Sequence, residues 1–177
     1  IDDAQLCVEG LKHGESYSVT LRQGLPSTVG EDLLKTADFN IYVRDRSPFV
    51  RLSGKAYVLP TTGQEGIPLV TVNIDTVKVS IYKIGDRNLL DTVLGGNFER
   101  NLYTYDLEDI AESKGEKLWT GELAVKRELN QEITTAFPVT EAVPTLAPGI
   151  YVLAAEPANK PADDYGQRAT QWFVVSD

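Results

Sequence analysis

His13 is the one histidine and Cys7 the one cysteine of the chain, so any Ser-His-Asp or Cys-His chemistry must run through them. His13 stands before Gly14 in a turn beside a strand-like run, and it reads as a surface turn residue. Zinc needs three or four nitrogen or sulfur ligands in a closed site, which one His and one Cys do not supply. Carboxylates are abundant, and a glycosidase needs only two of them facing across a cleft. Asp106, Glu108, Asp109 and Glu112 crowd one short helical stretch, where a solvated face and the dipole at a helix start account for them. Asp163 and Asp164 lack the spacing of a calcium loop and read as exposed loop. No G-x-S-x-G nucleophile motif occurs in the chain. The expectation is a chain with no catalytic residue, no metal site and no cofactor, and with no hydrolytic activity.

Composition narrows the function further. The 177 residues carry 26 acidic and 17 basic side chains, a net charge of −9, which argues against binding a phosphate backbone and therefore against nucleic acid as a partner. A hydrophobic fraction of 42% is enough for a real core. No run approaches the roughly 18 apolar residues of a membrane span, and no basic-then-apolar leader opens the chain. The chain starts at Ile1 and contains no methionine, from which we expect a piece of a longer product, with any signal or lipid anchor upstream.

The elements that must position these residues are strands. Val77, Val79 and Ile81 alternate with polar neighbours, Leu69 to Ile74 is a second apolar run, and Asp75-Thr76 between them is too short for a crossover helix. This predicts a hairpin or one strand bent at Asp75. Asp86 is expected to cap a short helix with Leu89, Leu90, Val93 and Leu94 on one apolar face, ended by Gly95-Gly96. Asp106 is expected to cap a second helix with Leu107, Ile110 and Ala111 on one face, ended by Gly115.

Earlier in the chain, Leu6–Leu11 is a short apolar run, and Tyr17, Val19, Leu21 and then Phe39, Ile41, Val43 alternate as strands. Residues 1–47 read as the tail of a β domain whose missing strands precede Ile1, because about 40 residues rarely bury a core alone. Arg44 to Pro48 is the candidate linker. After it come short strands at Phe49–Leu52 and Ala56–Leu59, a loop over residues 60–66, and strands at Trp119–Val125, Asn130–Phe137 (polar, suited to an edge), Ile150–Ala155 and Gln171–Val175. Prolines make residues 138–148 irregular, and a Pro-rich acidic loop runs from Pro157 to Gly166. The reading is all-β: an antiparallel immunoglobulin-like sandwich of about seven strands over residues 48–177 with a short helical insertion, preceded by part of a second β domain. Trp119, Val79, Ile81, Val152 and Phe173 or Val174 are expected in its core.

Together LCVEGLKHGESYSVTLRQGLPS, NIYVRDRSPFVRLSGKAYVLP, VNIDTVKVSIYKIGDRNL and PGIYVLAAEP followed by ATQWFVVSD resemble bacterial alpha-2-macroglobulin-like proteins, in the macroglobulin domains near their N-terminus. The resemblance implies one partial and one complete macroglobulin domain, in a periplasmic protein lipid-anchored to the inner membrane that traps attacking proteases. It also implies neighbouring macroglobulin domains, target proteases and a periplasmic penicillin-binding protein as partners of the full-length chain. In that family the trapping bond is a C-x-E-Q thioester. Here Cys7-Val8-Glu9-Gly10 has Gly10 where the glutamine must stand, and glycine has no side chain to acylate the thiol. The thioester and the bait segment are therefore expected outside this chain, and Cys7 is expected to pack in a strand as a small hydrophobe. The competing reading is an extracytoplasmic carbohydrate-binding or adhesive module that would use Tyr103, Tyr105 and Tyr165, aromatics outside clear strands.

Overall fold

The computed structural model describes residues 7–54, 56–59, 66–160 and 168–176. The chain divides into two compact units, Ile1–Arg46 and Ser47–Asp177. In the first, β1 (Ser16–Leu21) pairs antiparallel with β2 (Ala37–Tyr42), with Val19 opposite Phe39. A small ladder continues past the strand ends: Leu33 N donates to Leu25 O at 2.9 Å, and Pro26 bridges Asp32. The expected strand at Leu6–Leu11 does not form over its described part. Residues 7–11 lie outside regular structure and Cys7 is exposed. Gly10 takes a φ of 80°, a left-handed bend that interrupts any strand alternation there.

The second unit holds two sheets. A three-stranded sheet orders β3 (Phe49–Leu52), β5 (Ile67–Val72) and β8 (Glu132–Phe137), with β5 in the middle. A five-stranded sheet orders β4 (Ala56–Leu59), β10 (Ala169–Val175), β9 (Gly149–Pro157), β6 (Thr76–Ile84) and β7 (Gly115–Ala124). Pairing is antiparallel except at one margin, where β4 runs parallel to β10. This exception arises because the chain leaves β3 through Ser53 and Gly54 and changes sheets before β4. The side chain of Gln171, fully buried on β10, holds that crossing by donating to Ser53 O at 2.6 Å.

Val77, Val79 and Ile81 on β6 and Leu153 on β9 pack with Phe173 against Ile67, Leu69 and Phe137 of the facing sheet. Burying one such side chain fully contributes roughly 1.5–3 kcal/mol. Tyr151 stacks on Phe173 with ring centroids 5.1 Å apart and donates its hydroxyl to Ala147 O at 2.5 Å, so its polar end is satisfied inside the core.

Neither expected geometry for Leu69–Ile81 occurs. β5 and β6 belong to different sheets, so the link at residues 73–75 is a corner between layers. Asn73 sits there at φ 53° and Asn130 at φ 63°, a region that asparagine tolerates better than most residues. The two lock together: Asn130 N donates to Asn73 Oδ1 at 2.7 Å, and Asn73 Nδ2 donates to Asn130 Oδ1 at 3.3 Å.

The opposite face of the five-stranded sheet also has a cover. Tyr82, Ile84, Val152, Ala154 and Trp172 point into a second core with Leu102, Leu107 and Ile110. These last residues come from the β6–β7 connection, which holds a 3₁₀ turn (Asp86–Asn88), α1 (Leu89–Leu94), α2 (Thr104–Asp109) and a π turn (Ile110–Lys114). Gly115 ends the insert where a Cβ would sit 1.9 Å from Lys83 O, so only glycine admits this approach. A single helical turn, α3 (Val139–Ala142), interrupts the proline-rich stretch after β8 and buries Val139.

Three expectations about side chains are corrected. Gly85, not Asp86, stands at the start of the 3₁₀ turn, and no side chain caps it. Asp106 is not the cap of α2 but lies three residues in: Tyr103 N donates to Asp106 Oδ2 at 2.8 Å in a capping box. Leu89 packs on the second core, but Leu90, Val93 and Leu94 stay exposed and the residue α1 buries is Thr92.

Trp119 is only half-buried, because β7 is an edge strand; it packs on the sandwich core and lies 5.6 Å from the Phe137 ring. The fully buried tryptophan is Trp172, on a strand paired on both sides. Val79, Ile81, Val152 and Phe173 are buried, Val152 in the second core. We expect Trp172→Phe to remove the blue-shifted, iodide-resistant part of the tryptophan emission and Trp119→Phe to remove the quenchable part. Trp172→Ala should cost about 3–5 kcal/mol in denaturant unfolding. Equal quenching of the two single-tryptophan proteins would overturn this assignment.

Candidate functional site

Cys7 and His13 belong to the first unit, and Asp106, Glu108, Asp109 and Glu112 to the second. Cys7 is exposed on the first unit, contrary to the packed strand position expected of it. His13 is also exposed, and its Nδ1 lies 2.8 Å from Arg44 O. A carbonyl oxygen only accepts, so Nδ1 carries the proton. The imidazole thereby fastens a turn beside the β1–β2 ribbon, next to the bond from Gly14 N to Val43 O at 2.7 Å.

The acidic helical stretch is similarly committed to structure. Asp106 caps α2. Asp109 accepts from Lys114 Nζ at 2.7 Å and from the Ser113 hydroxyl, and these bonds, Lys114 foremost, hold its carboxyl below the usual range. A glycosidase acid needs a pKa raised toward neutrality, so Asp109 is displaced in the wrong direction. Glu108 and Glu112 are exposed. Asp163, Asp164 and Tyr165 lie outside the described residues. Among the described residues no three of His, Cys, Asp and Glu cluster as metal ligands would.

A further polar constellation, among the described residues, is one that residue types alone do not single out. Glu156 near the end of β9 accepts from Arg168 Nε at 2.9 Å, Arg168 Nη2 at 2.7 Å and Lys160 Nζ at 2.9 Å, all on Oε2. Its side chain is only 13% exposed. Arg168 Nη1 reaches across to Thr104 Oγ1 at 2.9 Å, so one guanidinium ties β9 to the first residue of α2. Further bonds fasten the same insert: Thr170 N donates to Asn101 Oδ1 at 3.0 Å, Leu102 N to Thr170 Oγ1 at 2.7 Å, and Trp172 Nε1 to Arg100 O at 3.0 Å. Burial pushes the Glu156 carboxyl up, but hydrogen bonds from Lys160 and Arg168 outweigh it and hold the group below the usual glutamate range.

Beside this clip a hollow of about 150 Å³ is lined by Lys78, Ser80, Tyr82, Lys117, Thr120, Glu156 and Arg168, with Leu107 and Ala154. Ser80 Oγ and Thr120 Oγ1 are bonded to each other at 2.8 Å, and Thr120 Oγ1 donates to Val79 O at 3.3 Å. Lys117 Nζ stands 5.5 Å from the Tyr82 ring centroid, a cation–π contact. The hydroxyls thus bond within the sheet, and the arrangement stiffens its polar half. At the start of α2, Tyr103 and Tyr105 stack with centroids 5.8 Å apart and 12° between planes, 64% and 63% exposed.

Fold and site together define a macroglobulin-type sandwich whose polar side chains hold its parts together. Residues 51–171 match the family described as the bacterial alpha-2 macroglobulin MG2 domain, and the chain belongs to the bacterial alpha-2-macroglobulin family. It is 22% identical over 176 residues to alpha-2-macroglobulin of Xylella fastidiosa, covering 96% of this chain and 10% of that protein. Among solved structures, a variant of Salmonella alpha-2-macroglobulin matches with a TM-score of 0.67 at 20% identity, over 95% of this chain and 9% of that one. Native Escherichia coli alpha-2-macroglobulin spanning domains MG0-NIE-MG1 matches with a TM-score of 0.61 at 20% identity, over 94% of this chain and 51% of that one. The chain spans about a tenth of the length of the curated relative.

Two measurements test these placements. Because the folded pKa of Glu156 is depressed, its contribution is present above the unfolded value of about 4.3 and is lost as pH falls through the folded pKa. Glu156→Gln should therefore destabilise by about 1–3 kcal/mol at neutral pH, with the gap to the parent sequence closing in acid; a gap independent of pH refutes the clip. Cys7 should titrate as one thiol in the native state, with no further thiol appearing after methylamine. An amine-dependent thiol would place an acyl–sulfur bond at Cys7.

Proposed function

We propose that this chain is scaffold: one macroglobulin domain and part of another in a protease trap of the alpha-2-macroglobulin type, with the thioester and bait segment elsewhere in the full-length protein. The observation that carries the reading is the use made of the best-held polar groups. Glu156, Arg168, Thr104, Asn101 and Thr170 bind the helical insert to the sheet, within the stretch matched by the family. A reacting group must keep a lone pair or a proton available at a cleft, and the bonds these groups make serve to hold the fold. The chain then has no enzymatic activity of its own. Its partners are neighbouring macroglobulin domains and, through the whole protein, the proteases that attack it. By the same family resemblance the protein resides in the periplasm, lipid-anchored to the inner membrane, and a periplasmic penicillin-binding protein is a further partner.

A second reading rests on one observation. The exposed, stacked Tyr103 and Tyr105 rings offer flat faces of the kind on which sugars stack, as a carbohydrate-binding module would. Titration with soluble glycans separates the two readings, since saturable binding abolished by Tyr103→Ala belongs to the module alone.

The scaffold reading is tested on the full-length protein. A trapped protease should keep cleaving a small peptide substrate while losing access to a protein substrate, and Cys7→Ala and His13→Ala should leave both rates within twofold of the unmodified protein. Loss of trapping on either substitution, or hydrolysis by this chain that a single point change abolishes, refutes it. Spheroplast fractionation checks the compartment: recovery in the cytoplasmic fraction is incompatible with the proposal.

A further inference from the structure

Five large apolar or aromatic side chains stand exposed along one short stretch of the helical insert: Leu90 at 67%, Val93 at 45%, Leu94 at 75%, and Tyr103 and Tyr105. Elsewhere in the described residues of this unit the corresponding residues are Val58 and Leu129. The insert is thus apolar on two sides. Leu89, Leu102, Leu107 and Ile110 turn to the sheet, and the outer arc of α1 runs through Val93, Leu90 and Leu94. A helical layer apolar on both sides belongs between two surfaces.

We infer that the outer side of this insert docks another domain of the same polypeptide, through a partner face apolar at its centre and basic at its rim. The inference rests on the proposed scaffold role. Two observations select this occupant. Residues 86–114 carry seven acidic against three basic side chains, and Asp91, Glu108 and Glu112 of this insert are exposed. That charge repels an anionic lipid surface and also an identical copy of the same acidic face. The family relative is about ten times longer than this chain, and the matched Escherichia coli structure spans several domains of which this chain covers 51%, so surfaces covalently tied to this one are available at high effective concentration. The aliphatic members, Leu90, Val93 and Leu94, offer no flat ring to a sugar and fit a protein surface.

The test uses the full-length protein with Leu94→p-benzoylphenylalanine, irradiated and mapped by peptide mass spectrometry. Position 94 is largely exposed, so the substitution does not disturb the core. The expected result is an adduct within one chain, joining residue 94 to a peptide outside these 177 residues, and its loss on Leu90→Asp in the same protein. Adducts between two copies, adducts to lipid, or no adduct each overturn the inference. Protease trapping by the same protein is read in parallel. An absent adduct with intact trapping defeats the docking and leaves the scaffold role standing. Absent trapping with the intrachain adduct present defeats the scaffold role and keeps the contact.

Discussion

The five-stranded sheet has two apolar faces, and this constraint organises the larger unit. A sheet with one wet face could stop at a two-layer sandwich. On β6 the odd positions Val77, Val79 and Ile81 enter the core shared with the three-stranded sheet, while Tyr82 and Ile84 enter the core under the insert. On β10, Phe173 and Trp172 divide in the same way. Leaving the second set in water would forfeit most of the apolar gain from those positions. The chain therefore needs a third layer, and the β6–β7 connection supplies it. That layer stops partway along the sheet, and where it stops the face turns polar: Lys78, Ser80, Glu156 and Arg168 line the hollow beside it.

This explains what sequence patterning can and cannot reveal here. Period-two alternation locates β1, β2 and β6, and the continuous apolar runs over residues 150–155 and 172–175 locate β9 and β10. Neither signal reveals which sheet a strand joins. A short link between β5 and β6 favours a hairpin on length alone, yet both strands bear residues for the same interlayer core, which they reach from opposite sides. The corner is marked in the structure by an asparagine at 73, bonded across to a second asparagine at 130 and both at positive φ. Trp119 and Trp172 show the same limit. Both lie in apolar strand runs, and only the strand order separates an edge tryptophan from a central one.

The polar constellation was harder to read than the fold. Glu156 and Arg168 are twelve residues apart, and they meet because β9 and β10 pair in the register that sets Ala169 opposite Ala155. Thr104 meets Arg168 only because α2 lies on that sheet. No spacing rule encodes such a meeting, whereas Tyr103 and Asp106 are three residues apart, the spacing of a capping box, with tyrosine in place of the usual Ser or Thr at the cap. Helical periodicity also identified Leu89, Leu90, Val93 and Leu94 as one apolar set. It could not tell a face that packs inward from one presented outward.

β6 and β7 are antiparallel neighbours, and a turn of two residues would suffice to join them. Residues 85–114 intervene instead. Loop-closure entropy rises only slowly with length, about 0.6 kcal/mol per doubling, so a long connection at this point is a small burden on the sheet while its strand order stays unchanged. The bonds from Asn101, Arg100 and Thr104 to residues of β10 and its approach then fix the inserted layer to a strand far away in sequence. Because the insert is held by these bonds and by its inner apolar side, its outer side is not required for the stability of the unit. Substitutions there act on what the unit touches and leave its fold in place, which is the physical basis on which one sandwich plan can serve at different positions in a long chain.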